Sequence, residues 1–304
     1  MSISVLTVLT VLVLIQTLGE STPSTPADAQ TEAGQGTSAG STSVGGPIRG
    51  VPGAAVPSGS GAPSAVADPN DPNAAGHVAA TIAAAALPAG ATFVSAGSGA
   101  WHVVPGTSPT VGVGPRALTY TIEVEDGLPA ELDQQFAQAV DATLADPRSW
   151  IGDGQVSFTR IDNGDPDIRI SLTSELTIRT PDNCGWDIPL EASCFNGWMS
   201  RVLINDARWT RGAMSYNGDL AAYRAYAVNH EVGHALGNKH QPCPANGGPA
   251  PIMMQQSWST SDNDLAQLDP QTVPADGNVC VANPYPFPSV TAVPTAAQSP
   301  SPAG

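Results

Sequence analysis

Charged residues are scarce in this chain, and basic residues are the scarcest. Only 12% of the 304 residues are charged, and 11 lysines and arginines stand against 27 acidic residues, which gives a formal net charge of −16. Ordinary globular domains carry about 25% charged residues. Because nucleic acids and anionic lipid surfaces are bound mainly through lysine and arginine, this charge balance excludes a nucleic-acid-binding function.

Aromatic residues are also few, and their distribution divides the chain. They make up 5% of the sequence, and all of them lie between Phe93 and Phe287. The segment 20–75 has no aromatic residue and is rich in Pro, Ser, Thr, Gly and Ala, so it buries too little apolar surface to fold. We therefore predict a signal peptide or membrane anchor at 1–19, a disordered stalk at 20–75, a folded domain at 76–286 and a disordered tail at 287–304.

The N-terminal segment contains an uncharged apolar run at residues 3–18. This run has the length of a signal-peptide core and is short for a membrane span of about 20 residues. A typical signal peptide has basic residues before its core, but the first basic residue here is Arg49. The sequence thus predicts a secreted protein or one held at the extracellular face, with membrane contact only through this segment. Cleavage and retention as an anchor both stay open.

The four cysteines are Cys184, Cys194, Cys243 and Cys280. An even number of cysteines in an exported chain indicates disulfide bonds. Three pairings are possible. We favour Cys184–Cys194, which closes a short loop, together with Cys243–Cys280, which ties the later part of the domain to its end. No Cys-x-x-Cys pair occurs, so a cysteine-rich metal site is disfavoured.

Hydrophobic periodicity between residues 118 and 236 switches between strand and helix patterns. Apolar residues alternate with polar ones over 118–124, which predicts a strand with one buried face. An apolar spacing of four predicts a helix at about 129–145, ended by Pro147. Further elements are predicted as strands near 156–158, 168–172 and 201–205 and as a helix over 219–236. This order predicts an α/β or α+β fold with a mixed sheet.

The pattern HExxHxxGxxH spans residues 230–240 and is the strongest indication of a functional site in the sequence. On a helix, His230 and His234 project from one face, and their ring nitrogens can both reach a zinc ion. Glu231 lies beside that face and can hold a water molecule without being a ligand. Gly237 permits the left-handed turn that ends the helix and brings His240 back as a third ligand. Three protein ligands leave a fourth position for water, which is typical of a catalytic zinc site.

These residues resemble the signature of the metzincin clan of zinc metallopeptidases. The resemblance implies a zincin-like fold, in which a mixed twisted sheet packs on an active-site helix. It implies that His230, His234 and His240 bind one Zn²⁺ per chain and that Glu231 is the general base. The segment 228–256 is also similar to a secreted actinobacterial zincin-like family of unassigned substrate, over about residues 99–288.

The clan also has a methionine turn beneath the metal. In this sequence Met253 is the best candidate for that methionine, and Met254 is the alternative. Some metzincins place a tyrosine two residues after the methionine, as a metal ligand or oxyanion stabiliser. The residues after Met253 are Met254 and Gln255, so the resemblance does not identify the electrophilic partner.

The resemblance further implies that an extended peptide substrate pairs with an edge strand, for which we predict Val202, Leu203 and Ile204. The predicted function is a monomeric zinc endopeptidase that acts on a peptide or protein, with Glu231 assisting the attack of zinc-bound water. Two alternatives stay open: a non-catalytic zinc-containing module that binds the cell envelope, and a zinc hydrolase of a non-peptide amide.

Overall fold

The structure is a computed structural model, and it describes residues 82–185 and 188–289. The N-terminal segment and the stalk predicted from the sequence lie outside the described residues, as does the tail beyond residue 289. Within the described residues, no helix is both long enough and apolar enough to cross a membrane.

The described part of the chain contains six strands and five α-helices, three of the helices very short. In chain order they are β1 (Trp101–Val103), β2 (Arg116–Glu125), α1 (Glu131–Ala145), β3 (Val156–Arg160), β4 (Ile168–Thr173), α2 (Glu175–Ile178), β5 (Cys194–Asn196), β6 (Arg201–Asn205), α3 (Asp206–Arg211), α4 (Leu220–Ala235) and α5 (Asp262–Leu265).

The strands form one mixed sheet in the order β1-β2-β4-β6-β5, with β3 also paired to β2. The first half of β2 pairs with β3 and its second half with β4, both in parallel, and β4 pairs in parallel with β6. The two end strands, β1 and β5, run antiparallel to their neighbours. The predicted fold class is confirmed at this level: the domain is mixed α and β, with a mixed sheet.

Helices α1 and α4 pack on each other, and α1 contacts β2 while α4 contacts β6. The apolar spacing of four in α1 is explained by the buried Phe136, Val140 and Leu144. Helix α4 begins after Asp219, whose side chain accepts a hydrogen bond from the Ala222 amide and so caps the first turn. Both long helices therefore agree with the sequence prediction within two residues at each end.

The prediction that the strand over 118–124 has one buried face is wrong. Thr121, Glu123 and Glu125 lie on the opposite face and are buried as well. Glu123 accepts a hydrogen bond from the Ser171 hydroxyl and pairs with Arg201, and Glu125 accepts hydrogen bonds from neighbouring backbone and hydroxyl groups. Carboxylates that have hydrogen-bond or ionic partners are tolerated in the interior. The polar residues that alternate along β2 therefore do not face solvent.

The chain after α4 supplies most of a second, smaller apolar core, which Ile82, Ala85, Leu190 and Ala192 complete. Met254, Trp258, Leu265 and Val273 pack there around the disulfide between Cys243 and Cys280. The folded part of the chain extends past the predicted domain end at residue 286, because the Phe287 ring packs edge-on against Trp150 and its amide donates to the Arg148 carbonyl oxygen. The C-terminal segment thus returns to the region beneath α4.

Candidate metal centre

Helix α4 and the turn that follows it bring three imidazoles together. One ring nitrogen from each of His230, His234 and His240 lies within 4.8 Å of the others. The Nε2 atoms of His234 and His240 are 3.2 Å apart. Two nitrogens bound to one tetrahedral zinc ion, each about 2.0–2.1 Å from the metal, would be roughly 3.3 Å apart. The three side chains therefore form a group that can hold a metal ion of this size.

The end of α4 explains how His240 reaches the other two histidines. Gly237 has a φ of 99°, in the left-handed region that favours glycine. Its amide donates to the His234 carbonyl oxygen, and the Asn238 amide donates to that of Gly233. These two bonds form a Schellman motif, which ends the helix and reverses the chain. The role predicted for Gly237 is thus present in the structure.

Hydrogen bonds to backbone carbonyls hold two of the imidazoles in one tautomer. His230 Nδ1 lies 2.8 Å from the Ile252 carbonyl oxygen, and His234 Nδ1 lies 3.0 Å from that of Asn238. Since a carbonyl oxygen only accepts, each Nδ1 carries the proton and each Nε2 keeps its lone pair for a metal. This is the arrangement that metal-binding histidines usually have.

Burial also keeps the three imidazoles neutral. It lowers the pKa of His230 well below its usual value, and the neighbouring His234 and His240 lower it further. Burial lowers the pKa of His234, and burial together with His234 lowers the pKa of His240 to about 4. Neutral imidazoles are the form that binds metal, so protons compete weakly for this site at neutral pH.

Glu231 is buried beside the three histidines and lines the same cavity. Its Oε2 atom is enclosed and has no hydrogen-bond partner within the described residues. Burial raises the pKa of this carboxyl group to about 8. A buried, unpaired carboxylate is costly in a fold, and a cation held by the adjacent imidazoles would favour its ionised form.

The methionine predicted beneath the metal lies directly under α4. Met253 is buried, and a Cβ atom added to Gly233 would lie 2.5 Å from its sulfur. Met253 follows Ile252, whose carbonyl oxygen orients His230. Met254 is also buried but belongs to the core of the C-terminal part. Of the two candidates, Met253 is therefore the one that packs against the motif.

The cavity at the histidines has a volume of about 310 Å³. One wall is formed by the segment leading into β5 and by β5 itself, through Ala192, Ser193, Cys194 and Phe195. The lining also includes Gln255, Ser257 and Trp258, which follow the methionine turn. Sequence periodicity did not find β5, because a strand of three residues is too short to show an alternation.

The prediction that Val202, Leu203 and Ile204 form the edge strand is wrong. They lie in β6, which pairs with β4 on one side and with β5 on the other. Val202 is opposite Phe195, and Leu203 is opposite Cys194. The edge of the sheet beside the cavity is β5, for which the described residues show no second strand partner.

Two adjacent glutamines near the cavity differ sharply in their hydrogen bonding. The Gln256 carboxamide accepts from the Tyr216 hydroxyl and the Asn283 amide, and it donates to the carbonyl oxygens of Pro251 and Asn283. The Gln255 carboxamide makes no hydrogen bond within the described residues, and its Oε1 is enclosed without a partner. Gln256 is structural, whereas Gln255, which also lines the cavity, has an unused carboxamide among the described residues.

The other polar side chains of the cavity wall are already engaged. The Tyr226 hydroxyl donates to the Met254 carbonyl oxygen and accepts from the Gln256 amide. The Ser257 hydroxyl is hydrogen-bonded to the Tyr223 hydroxyl, and the Ser193 hydroxyl accepts from the Asn205 amide. Apart from the histidines and Glu231, Gln255 is thus the polar side chain of this wall that has no hydrogen bond among the described residues.

The cysteine pairing that the sequence favoured is confirmed. Cys184 is bonded to Cys194, and Cys243 to Cys280. The first disulfide attaches the preceding loop to β5 beside the cavity, and the second holds the C-terminal part together. Two disulfides indicate an oxidising environment outside the cytosol.

Comparison with known proteins assigns the chain to a family. The family described as "Protein of unknown function (DUF3152)" matches residues 87–288, about two thirds of the chain, and includes the three histidines, Glu231 and both disulfides. The chain belongs to this family. No curated protein matches it.

Proposed function

We propose that this member of the DUF3152 family is a secreted or surface-tethered zinc metallopeptidase with a metzincin-type, zincin-like fold. The observation that carries the proposal is the position of Glu231. Its unpaired carboxyl group lies in one cavity with three neutral imidazoles whose ring nitrogens converge within 4.8 Å. A structural metal site has no use for such a group, and burying it without a partner costs stability.

The donor set fits zinc. His230, His234 and His240 would hold the ion through neutral ring nitrogens, and the carbonyl oxygens of Ile252 and Asn238 orient two of the rings. Zinc, when bound, supplies a Lewis acid that acidifies water and polarises a carbonyl group. Three protein ligands, none of them cysteine, are typical of a catalytic site rather than a structural one.

Glu231 has the position of a general base. Its carboxylate would accept a proton from the attacking water and pass it to the leaving amine. The cavity wall holds this carboxylate away from bulk solvent, and no cation of the described residues pairs with it. The carboxylate is therefore free to accept a proton during the reaction, because it is not neutralised by an internal ion pair.

Gln255 is the group we assign to the substrate carbonyl oxygen. Its carboxamide lines the same cavity, has no partner among the described residues, and can donate through Nε2. A donor aimed at an oxygen that gains negative charge stabilises that charge in the transition state. This role fills the position for which the sequence offered no tyrosine.

The outer edge of β5, which has no strand partner among the described residues, favours a peptide substrate. Edge strands expose unpaired N–H and C=O groups, which pair with an extended chain. β5 borders the cavity through Cys194 and Phe195, so a peptide added to it would pass over the histidines and Glu231. A small non-peptide amide could not form this series of backbone hydrogen bonds with the edge of β5.

Metal analysis of the purified full chain tests the proposal. After dialysis against zinc-free buffer, we expect about one zinc per chain in the wild type and little in His234→Ala. The matched control is His102→Ala, because His102 is an exposed histidine of β1 that pairs with Asp126 and Asp133. A wild-type protein that folds and binds no zinc would overturn the proposal.

A further inference from the structure

Trp198 lies at the turn between β5 and β6, and its side chain is fully exposed. Tryptophan is a large apolar residue that is mostly buried in folded proteins, so complete exposure calls for an explanation. It borders a second, shallower cavity together with Phe195 and the loop residues Pro181, Asp182 and Asn183.

The backbone around this tryptophan is held firmly. The Asn196 carboxamide donates to the carbonyl oxygens of Asp182 and Asn183, both at 2.9 Å, and accepts from the amides of Trp198 and Met199. The Cys184–Cys194 disulfide fastens the same loop to β5. An aromatic ring on a fixed support loses little conformational entropy when a ligand covers it.

The second cavity continues from the first along β5. Phe195 lines both cavities, so one extended chain on the edge of β5 would pass through both. Trp198 follows Phe195 by three positions, and a strand that advances about 3.3 Å per residue covers at most about 10 Å over that step, so we place the turn roughly three substrate residues from the first cavity.

The chemistry of the second cavity favours a positive charge. Asp182 has an exposed carboxylate, and it takes part in no ion pair within the described residues. Arg169, which donates to the Met199 carbonyl oxygen at the same turn, is already paired with Asp165. An indole face and a carboxylate both attract a lysine or arginine side chain, and the net charge of −16 draws basic peptides to the protein.

We propose that Trp198 and Asp182 form a basic-residue subsite, which binds a lysine or arginine side chain of the substrate about three residues from the scissile bond. The ring holds the cationic group by a cation–π contact, and the carboxylate pairs with it. This inference rests on the proposed peptidase function, because it takes the substrate to be an extended peptide on β5.

A sugar ligand fits the subsite less well. Sugar hydroxyls need several polar partners beside the aromatic ring, and the donor groups of the two nearby carboxamides are already used. The Asn183 side chain donates to the Thr177 carbonyl oxygen and to the Thr180 hydroxyl, and both ends of the Asn196 carboxamide are engaged within the turn. Asp182 is the charged side chain of this cavity, and its carboxylate takes part in no hydrogen bond or ion pair among the described residues.

The first experiment measures binding without hydrolysis. Zinc-loaded full chain carrying Glu231→Gln is titrated calorimetrically with acetylated trilysine amide, with triglutamine amide and with tri-N-acetylglucosamine. We expect trilysine to bind best, and about tenfold more weakly after either Trp198→Ala or Asp182→Asn. Trp198→Phe keeps the aromatic face and should restore most of the affinity.

The matched control for charge is Glu131→Gln, which removes one exposed negative charge on α1, away from both cavities. Its trilysine affinity should be unchanged. Trilysine binding that is equally strong in Trp198→Ala, or binding of the sugar in place of the basic peptide, would overturn the subsite.

The second experiment compares cleavage profiles of a mixed peptide library by the wild type and by Trp198→Ala. We expect the wild type to enrich lysine and arginine at one position about three residues from the cut, and the variant to lose that enrichment while it still cleaves. Cleavage without such enrichment would contradict the subsite and leave the peptidase function standing. Trilysine binding by a wild type that cleaves nothing would contradict the peptidase function alone.

Discussion

Gly233 lies directly against the sulfur of Met253. A Cβ atom at this position would be 2.5 Å from the Met253 sulfur and 2.7 Å from Cζ2 of Trp150. Gly233 is the residue before His234, so the helix that carries two of the imidazoles rests on the methionine turn without a side chain between them. The glycine inside HExxH is here a packing requirement as well as a part of the motif.

Gly233→Ala should therefore destabilise the protein. Overpacking of this kind costs about 1–3 kcal/mol, and the displaced helix should also bind zinc more weakly. Thermal denaturation with and without zinc measures both effects. Gly197→Ala is the control, since its Cβ would meet nothing nearer than an atom of Phe195 at 3.7 Å. A Gly233→Ala variant that melts with the wild type would contradict the contact.

Glu231 should make the metal-free protein less stable as the pH rises. Burial raises the pKa of its carboxyl group from 4.5 to about 8, so the folded state keeps a proton that the unfolded chain releases. Stability is then lost progressively between about pH 4.5 and pH 8. Glu231→Gln removes this loss, and in EDTA the variant should be the more stable protein at pH 8, by about 4 kcal/mol at most.

The comparison is made between the two proteins at pH 5 and at pH 8. The histidines act in the opposite sense, because their lowered pKa values cost stability as the pH falls below about 6.5. Both proteins contain them, so most of their effect cancels in the difference. A stability difference that is the same at both pH values would contradict the burial of an unpaired carboxyl group.

Gln255→Ala should lower kcat and leave KM and zinc affinity nearly unchanged. A donor that acts only on the developing oxyanion contributes to the transition state, and loss of one such donor costs about 10²–10³-fold in kcat. Affinity for a phosphinic peptide, which carries a tetrahedral anionic group, should fall in parallel. A rise in KM with an unchanged kcat would show that Gln255 only helps to bind the ground state.

Much of the fold and of the candidate metal centre could be predicted from the sequence, and the features that were missed have identifiable physical causes. The three histidines, Glu231 and Gly237 have a spacing that only a helix followed by a left-handed turn satisfies, so they were predicted together. Strands β2, β4 and β6 and both long helices carry a clear period. β1 and β5 have three residues each, which is too few for a period.

Other features depend on partners far away along the chain. The buried face of β2 was missed because Glu123 is neutralised by Arg201, 78 residues later. The edge strand was placed on β6 because nothing local shows that β5 covers it. Gln255 and Gln256 are the same residue type at adjacent positions, so the sequence does not distinguish them. Only the structure shows that Gln256 is held by Tyr216 and Asn283, whereas the Gln255 carboxamide has no such contacts.

The most direct test of the central claim measures zinc content and peptide hydrolysis together in the wild type and in Glu231→Gln, with Glu131→Gln as a control for charge. Zinc-loaded full chain is incubated with a mixed peptide library, and newly formed amino termini are counted over time. We expect all three proteins to hold about one zinc, the wild type and Glu131→Gln to cleave alike, and Glu231→Gln to be slower by about 10²–10⁴-fold. Glu231→Gln that binds zinc and cleaves at the wild-type rate, or a zinc-loaded wild type that releases no new termini, would contradict the claim.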